Sequence, residues 1–300
     1  MICEKCGYEY EGKRCPVCRK NAVNAGVLAI VKAFFYSVAF VAIQFIVQFA
    51  FVIVKVTAAL LSGMSDGDAY DIVLSSLYDN VCKMTILSSL VTILAVGIWF
   101  LARRRSTVNE VRLNPIHPKH LGLAALFGAV LQVVTSVAVE FVPWPQSWID
   151  TLTEMNDYII SESIGLQVLA VVILGPITEE LVFRGLVHTR LRQAFPPFVA
   201  AILSGVAFGI VHGTMIQFFY ASLLGVVLGL VFNRYDSLFP CILIHIFFNG
   251  VSLLPYFELD AAGLILLYLA CVAVTILCAY LIWFKKKDIQ NGKESPDETV

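Results

Sequence analysis

The stretch AGLILLYLACVAVTILCAYLIWF at residues 262–284 contains no charged side chain, and Lys285, Lys286 and Lys287 follow it directly. A helix needs about 20 mostly apolar residues to cross the hydrocarbon core of a bilayer. Lys and Arg residues concentrate at the cytoplasmic ends of such helices. The stretch therefore predicts a transmembrane helix that ends at a cytoplasmic membrane boundary.

Further apolar segments of this kind precede it along the chain. With 59% apolar and 14% charged residues, the 300-residue chain lies outside the range of soluble domains, which carry about 25% charged residues. We therefore predict an all-α fold, a polytopic bundle of about eight membrane helices. The other seven are expected at residues 27–61, 84–102, 121–142, 164–182, 198–212, 216–232 and 238–254.

The signs of the charges differ between alternate loops. Most Lys and Arg residues fall in segments that share one side of the membrane with the N-terminus, such as 103–119 and 285–293, whereas loops such as 143–162 are acidic. The positive-inside rule then places both termini in the cytoplasm, which requires an even number of spans.

The net charge is −1, so the chain has no basic excess that would indicate a nucleic-acid partner.

Four cysteines lie close together at the N-terminus. Cys3 and Cys6 form one CxxC pair, and Cys15 and Cys18 form another. Two such pairs at this spacing are typical of a structural zinc site, because four thiolates close a tetrahedral shell around the ion. Disulfides and a redox pair are the alternatives, although a cytoplasmic location disfavours lasting disulfides. We predict a cytoplasmic zinc ribbon, which could also bind a protein partner.

Charged residues interrupt the fourth apolar segment, in GPITEELVFRG at residues 175–185. Pro176 interrupts helical hydrogen bonding and leaves carbonyl groups free. Glu180 and Arg184 are four residues apart, so they share a helix face and can pair. Glu179 lies about 100° further round the helix. It is then left without that partner and is a candidate general base. The alternative is a salt-bridge cluster at the membrane boundary.

Two later segments also carry polar residues among apolar ones. His212 ends the sequence FGIVH at residues 208–212, and His245 and Asn249 lie on one helix face in HIFFN at residues 245–249. A lone histidine is often a hydrogen-bonded core residue, and a His–Asn pair can simply join two helices. Three further histidines lie among basic residues, and we expect them at the surface: His117, His120 and His188.

The ordered set of these motifs on separate helices resembles the CPBP family of intramembrane proteases, which includes the CAAX prenyl endopeptidases and the bacteriocin-processing or Abi proteins. The resemblance covers about residues 164–254. It implies a multi-helix bundle in a bacterial cell membrane, with a proteolytic cavity that opens toward the cytoplasm. It also implies a membrane-associated peptide or protein as the substrate, in either CAAX-type or leader-peptide processing.

The resemblance implies a role for each matched residue. Glu179 would activate the attacking water, while Glu180 and Arg184 hold the site together and Phe208 packs its wall. His212 would assist the water or bind a metal. His245 and Asn249 would bind a metal or stabilise the oxyanion. A catalytic zinc held by Glu179, His212 and His245 and a metal-free site fit these residues equally well.

More than one function is consistent with these residues. A non-catalytic immunity or binding protein could use the same polar cavity, and buried Glu and His also occur in proton-coupled transporters.

We expect the chain to divide into four parts. They are the zinc ribbon at 1–22, the first two spans and a basic loop at 23–120, the protease core at 121–284 and a cytoplasmic tail at 285–300.

Overall fold

A computed structural model describes residues 16–63, 79–254 and 260–284, together with the single residues Ile2, Glu9 and Ile72. Cys3, Cys6 and Cys15 lie outside the described residues, as does the side chain of Cys18. The zinc ribbon and the C-terminal tail therefore stay predictions. The rest of the chain is a bundle of helices, in agreement with the polytopic all-α fold expected from the sequence.

The described part of the chain is a series of helices. A single helical turn, Thr107–Glu110, lies between the second and third helices. We number the longer ones in chain order: α1 Pro16–Leu61, α2 Val81–Ala102, α3 Pro118–Glu140, α4 Gln146–Ser161, α5 Ile164–Ala194, α6 Pro197–Ile210, α7 Met215–Tyr235, α8 Leu238–Ser252 and α9 Ala261–Trp283.

Six of these helices are long and apolar enough to cross a membrane, namely α1, α2, α3, α5, α7 and α9. The chain is thus an integral multi-pass membrane protein. α6 and α8 are apolar but shorter, at 14 and 15 residues. Helices of this length reach about 20 Å, whereas the hydrocarbon core is about 30 Å thick. The eight expected segments are all helical, but these two are too short for complete spans.

One helix is not predicted from hydropathy. Residues 146–161 form the amphipathic α4 in a stretch whose sequence indicates only an outer loop. Trp144 and Trp148 pack with Phe219 of α7, with ring centroids 5.6 and 6.4 Å from the Phe219 ring. These three aromatic rings hold α4 against the N-terminal end of α7.

Glycines allow the closest helix contacts. A Cβ on Gly128 of α3 would collide with the carbonyl of Ile244 in α8. A Cβ on Gly225 of α7 would lie 2.7 Å from the Cα of Gly205 in α6. Since real Cβ atoms do not come this close, only glycine permits these backbones to approach. These contacts pair α3 closely with α8, and α6 closely with α7.

We call the side of the bundle that carries the start of α1 and the end of α9 the terminal face. Gly26 near the start of α1 lies beside Ala194 at the end of α5. Arg234 near the end of α7 donates to the carbonyl of Ile282 near the end of α9, at 2.8 Å. The side on which α2, α5, α7 and α9 begin is the opposite face.

His188 contradicts its expected surface location. Its side chain is completely buried, although it follows charged residues in the sequence. Its two ring nitrogens lie 3.0 Å from Ser204 Oγ of α6 and 2.9 Å from Asn233 Oδ1 of α7. The polar partners come from other helices, so a single-helix pattern does not reveal them. His188 joins three helices near the terminal face.

Candidate active site

Proline shapes the helix that carries the two glutamates. In α5, π-helical segments at Val168–Leu174 and Leu181–His188 flank the α-helical turn Gly175–Glu180. Within a π-helix, position 176 would donate to the carbonyl of Val171, but Pro176 has no N–H. Asn249 Nδ2 of α8 donates to that carbonyl instead, at 2.9 Å. The free carbonyl expected near Pro176 is thus that of Val171, and it holds the Asn249 side chain of α8 in place.

Glu180 and Arg184 form the predicted pair, and both side chains are completely buried. Arg184 Nη1 donates to Glu180 Oε1 at 2.9 Å, and Nη2 donates to the carbonyl of Gly225 at 3.1 Å. The guanidinium also lies over the Phe208 ring, 4.5 Å from its centroid. These contacts connect α5, α6 and α7 at one point.

His245 joins the buried pair from α8. Its Nδ1 lies 2.9 Å from Glu180 Oε1, and its side chain is 2% exposed. Glu180 Oε1 accepts a hydrogen bond from Arg184, and His245 Nδ1 can donate a second one to the same oxygen. The other ring nitrogen of His245, Nε2, faces Glu179.

Glu179 differs from its neighbour in exposure. Its side chain is 25% exposed, and Oε2 lies 3.7 Å from His245 Nε2. That separation is too long for a direct hydrogen bond, but one water can contact both atoms. The structure therefore places a partly exposed carboxylate beside the His245 imidazole, next to a buried ion pair.

The Phe208 ring separates and orients the two histidines. Its centroid lies 4.6 Å from the His212 ring and 5.6 Å from the His245 ring. His212 Nδ1 lies 2.8 Å from the Phe208 carbonyl. Because a carbonyl oxygen only accepts, Nδ1 carries a proton, and Nε2 is the acceptor nitrogen of the neutral His212 ring. His212 is partly exposed where α6 ends.

The two carboxylates of the cluster have different partners. Glu180 is paired with Arg184, whereas Glu179 has no arginine partner and lies beside His245. A general base needs a carboxylate that a bound water can reach, and Glu179 is the partly exposed one of the two.

The donor chemistry of Glu179, His212 and His245 suits zinc, but the spacing of the side chains does not. A metal-binding histidine usually has one ring nitrogen in a hydrogen bond and the other toward the ion, and Nδ1 of both histidines is hydrogen-bonded. Among the residues that the structure describes, however, no three His, Cys, Asp or Glu side chains are close enough to hold one ion. We derive no chemical step through a metal, and a catalytic metal stays a prediction.

Two groups in this network could not be found from side-chain motifs. The Val171 and Gly225 carbonyls bind Asn249 and Arg184, yet a backbone acceptor has no signature in its own residue type. Pro176 indicates the Val171 carbonyl indirectly, because proline has no N–H to donate to it. Every residue predicted from the three motifs is otherwise in or beside this network, including Phe208.

Comparison with known proteins points to the same segment. Residues 161–251 match the family described as type II CAAX prenyl endopeptidase Rce1-like. A Bacillus subtilis (strain 168) protein named "Putative membrane peptidase YdiL" is 27% identical over 99 residues. That match covers 33% of this chain and 41% of the relative. No solved structure matches the chain. At the level of the family, these similarities support an intramembrane protease.

Proposed function

We propose that this protein is an endopeptidase that hydrolyses a peptide bond of a membrane-associated protein or peptide. The observation that carries the proposal is the arrangement of Glu179 beside His245, above the buried Glu180–Arg184 pair. A binding site needs no such charge arrangement, whereas hydrolysis needs a base next to a water molecule. The match of residues 161–251 to an endopeptidase family supports the same reaction.

In the proposed reaction, a water lies between Glu179 Oε2 and His245 Nε2. Its oxygen attacks the carbonyl carbon of the scissile bond, and its proton passes to the Glu179–His245 pair. Asn249 uses one amide N–H for Val171 and has a second on the same nitrogen, which can donate to the oxyanion. The proton then moves to the departing amine nitrogen as the C–N bond breaks.

The other residues of the site act by position. Glu180 accepts hydrogen bonds from both Arg184 and His245, so it keeps the His245 ring in the tautomer that presents Nε2. Arg184 binds Glu180 and connects it to the Gly225 carbonyl of α7. His212 presents an acceptor nitrogen at the rim of the site and can assist the water.

Comparative terminal-peptide proteomics tests the proposal even though the substrate has not been identified. Membranes from cells that express the wild type or Glu179→Gln at equal levels are compared. We expect new peptide ends only with the wild type, which would also identify the substrate and the bond. Glu140→Gln, an exposed change at the end of α3, is the matched control and should behave like the wild type.

The opposite results have distinct meanings. New ends of equal abundance with Glu179→Gln would contradict its role as the base. A biological activity that survives both Glu179→Gln and His212→Ala, with no new ends, would favour the binding or immunity function instead.

We further propose that the membrane is that of a bacterial cell and that both termini lie in its cytoplasm. The basic loops of the terminal face support this orientation. The zinc ribbon belongs to the same proposal. Purified protein should then contain one tightly bound zinc per chain that is absent from Cys15→Ser, and equal zinc in both would contradict the ribbon.

A further inference from the structure

We propose that the site takes its substrate from the opposite face of the bundle, the face away from the start of α1 and the end of α9. The inference rests on the proposed function and specifies its substrate class. With the termini in the cytoplasm, the substrate would be a membrane segment or leader whose scissile bond is presented from outside. A lipid-modified C-terminus presented from the cytoplasm would not reach the site. The expectation of a cavity open to the cytoplasm would then be wrong.

The first observation is the change in burial along the site helices. On α5, every residue of Leu181–His188, between the glutamates and the terminal face, is buried, whereas Glu179 is partly exposed. On α8, Ile244 and His245 are buried, whereas Asn249, one turn further from the terminal face, is partly exposed. Exposure of the site therefore increases toward the opposite face.

The second observation is a loop that seals the terminal face. Val111 is completely buried, and its Cβ lies 2.9 Å from the position that a Cβ on Gly185 would take. Gly185 directly follows Arg184, so Val111 packs against α5 one residue closer to the terminal face than the buried arginine. An approach to the site along this side of α5 from the terminal face would have to displace the Val111 side chain.

Hydrogen bonds hold the sealing loop, which we define as residues 107–116, against two helices. Glu110 binds Arg190 of α5 at 2.8 Å. Leu238 at the start of α8 donates its N–H to the Arg112 carbonyl at 2.9 Å. Asn114 donates to the Asp236 carbonyl and accepts from Ser237, both at 2.6 Å. The loop is thus fixed at several points and is not a loosely attached cover.

The third observation is the length of the helices that carry His212 and Asn249. α6 begins at the terminal face and ends after 14 residues, which is about 21 Å. The chain then turns through Val211, His212 and Gly213, where Gly213 has a φ of +84°. Met155 of α4 lies 3.9 Å from the position of a Cβ on Gly213. The rim of the site therefore lies next to α4, on the opposite face.

Thiol labelling tests the direction of access without any catalytic turnover. Asn249→Cys is treated with a small, charged, membrane-impermeant thiosulfonate, in intact cells and in inverted membrane vesicles. Mass spectrometry of the labelled peptide separates this position from the native cysteines. Ser252→Cys marks the opposite face and Gln193→Cys marks the terminal face, because both wild-type side chains are exposed.

We expect Asn249→Cys and Ser252→Cys to be labelled in intact cells, and Gln193→Cys only in inverted vesicles. Labelling of Asn249→Cys only together with Gln193→Cys, or from neither side, would overturn the inference. If Asn249→Cys does not fold, Gly250→Cys replaces it, because a Cβ there meets Val172 at an ordinary 3.5 Å.

Cleavage positions give a second readout that depends on the proposed function. Cuts on the outer side of substrate membrane segments support the inference, and cuts at cytoplasmic C-termini overturn it. A complete lack of cleavage contradicts the peptidase alone, because the labelling result still shows from which side the site is reached.

Discussion

Arg184 contacts more parts of the site than any single motif suggests: Glu180, the Gly225 carbonyl and the Phe208 ring. A charge this deeply buried stabilises the fold only while its partner is present, because water cannot replace the lost contact. At the scale of the residue, the site is therefore also a structural element of the bundle.

We predict that Arg184→Met lowers the free energy of unfolding by about 3–5 kcal/mol, because Glu180 is left buried without its partner. Thermal unfolding in detergent measures this. The double variant Arg184→Met with Glu180→Met removes both charges and should recover much of the loss. A double variant as unstable as the sum of the single variants would contradict the pairing.

Residue type and spacing predict the side chains of this site well, for a physical reason. Glu179, Glu180, Arg184 and His245 stand out because ionisable groups are costly in apolar helices and are retained only with partners or a function. The surface location expected for His188 is wrong because Ser204 and Asn233 reach it from other helices. Tertiary partners of this kind cannot be inferred from one segment.

Helix contacts depend on the absence of side chains at a few positions. α3 packs closely on α8 because Gly128 has no Cβ to meet the Ile244 carbonyl. The same α8 carries His245, so this contact positions the imidazole relative to α5. Among the elements, hydropathy predicts the location of each apolar helix, but not the π-helical segments of α5 or the amphipathic α4. Those depend on Pro176 and on packing between elements.

Gly128→Ala should destabilise the bundle by about 1–3 kcal/mol, the usual cost of overpacking a well-filled core. Gly122→Ala in the same helix is the matched control, because nothing lies within 4 Å of its Cβ position. Thermal unfolding of both variants in one detergent gives the comparison. Equal stability of the two variants would show that the α3–α8 contact is not as close as described.

The loop that seals the terminal face should respond to acid. In the folded protein, the hydrogen bond from Arg105 holds the pKa of Glu110 below its usual range, and Arg190 adds to this effect. A lowered folded-state pKa stabilises the fold above the unfolded-state pKa, and this stabilisation is lost as the pH falls through the folded-state value.

Glu110→Gln should therefore be less stable than the wild type near pH 7. The difference should begin to shrink at about pH 4, near the ordinary pKa of Glu, and disappear only below the lower folded-state pKa. Unfolding temperatures measured across this range test it, with Glu154→Gln on α4 as an exposed control. A difference that does not change with pH would mean that the charge of Glu110 is not what holds the loop.

At the scale of the whole molecule, the terminal face is closed and the opposite face gives access to the polar groups. α6 and α8 are short, so His212 and Asn249 lie near helix ends instead of within complete spans. The distribution of charged residues along the sequence predicts which loops share a face of the bundle, because this prediction needs only the sign of the charge in each loop. It does not predict the face to which the site opens, which depends on the packing of Val111 against Gly185 of α5.

The most direct measurement of the central claim uses purified full-length protein in lipid nanodiscs, with the peptide identified from the terminal-peptide comparison. Loss of a general base typically lowers the rate by about 10²–10⁴. We therefore predict that Glu179→Gln lowers kcat/KM by this factor, while Glu140→Gln retains wild-type activity and both keep the wild-type unfolding temperature. Cleavage by folded Glu179→Gln at the wild-type rate would contradict the account.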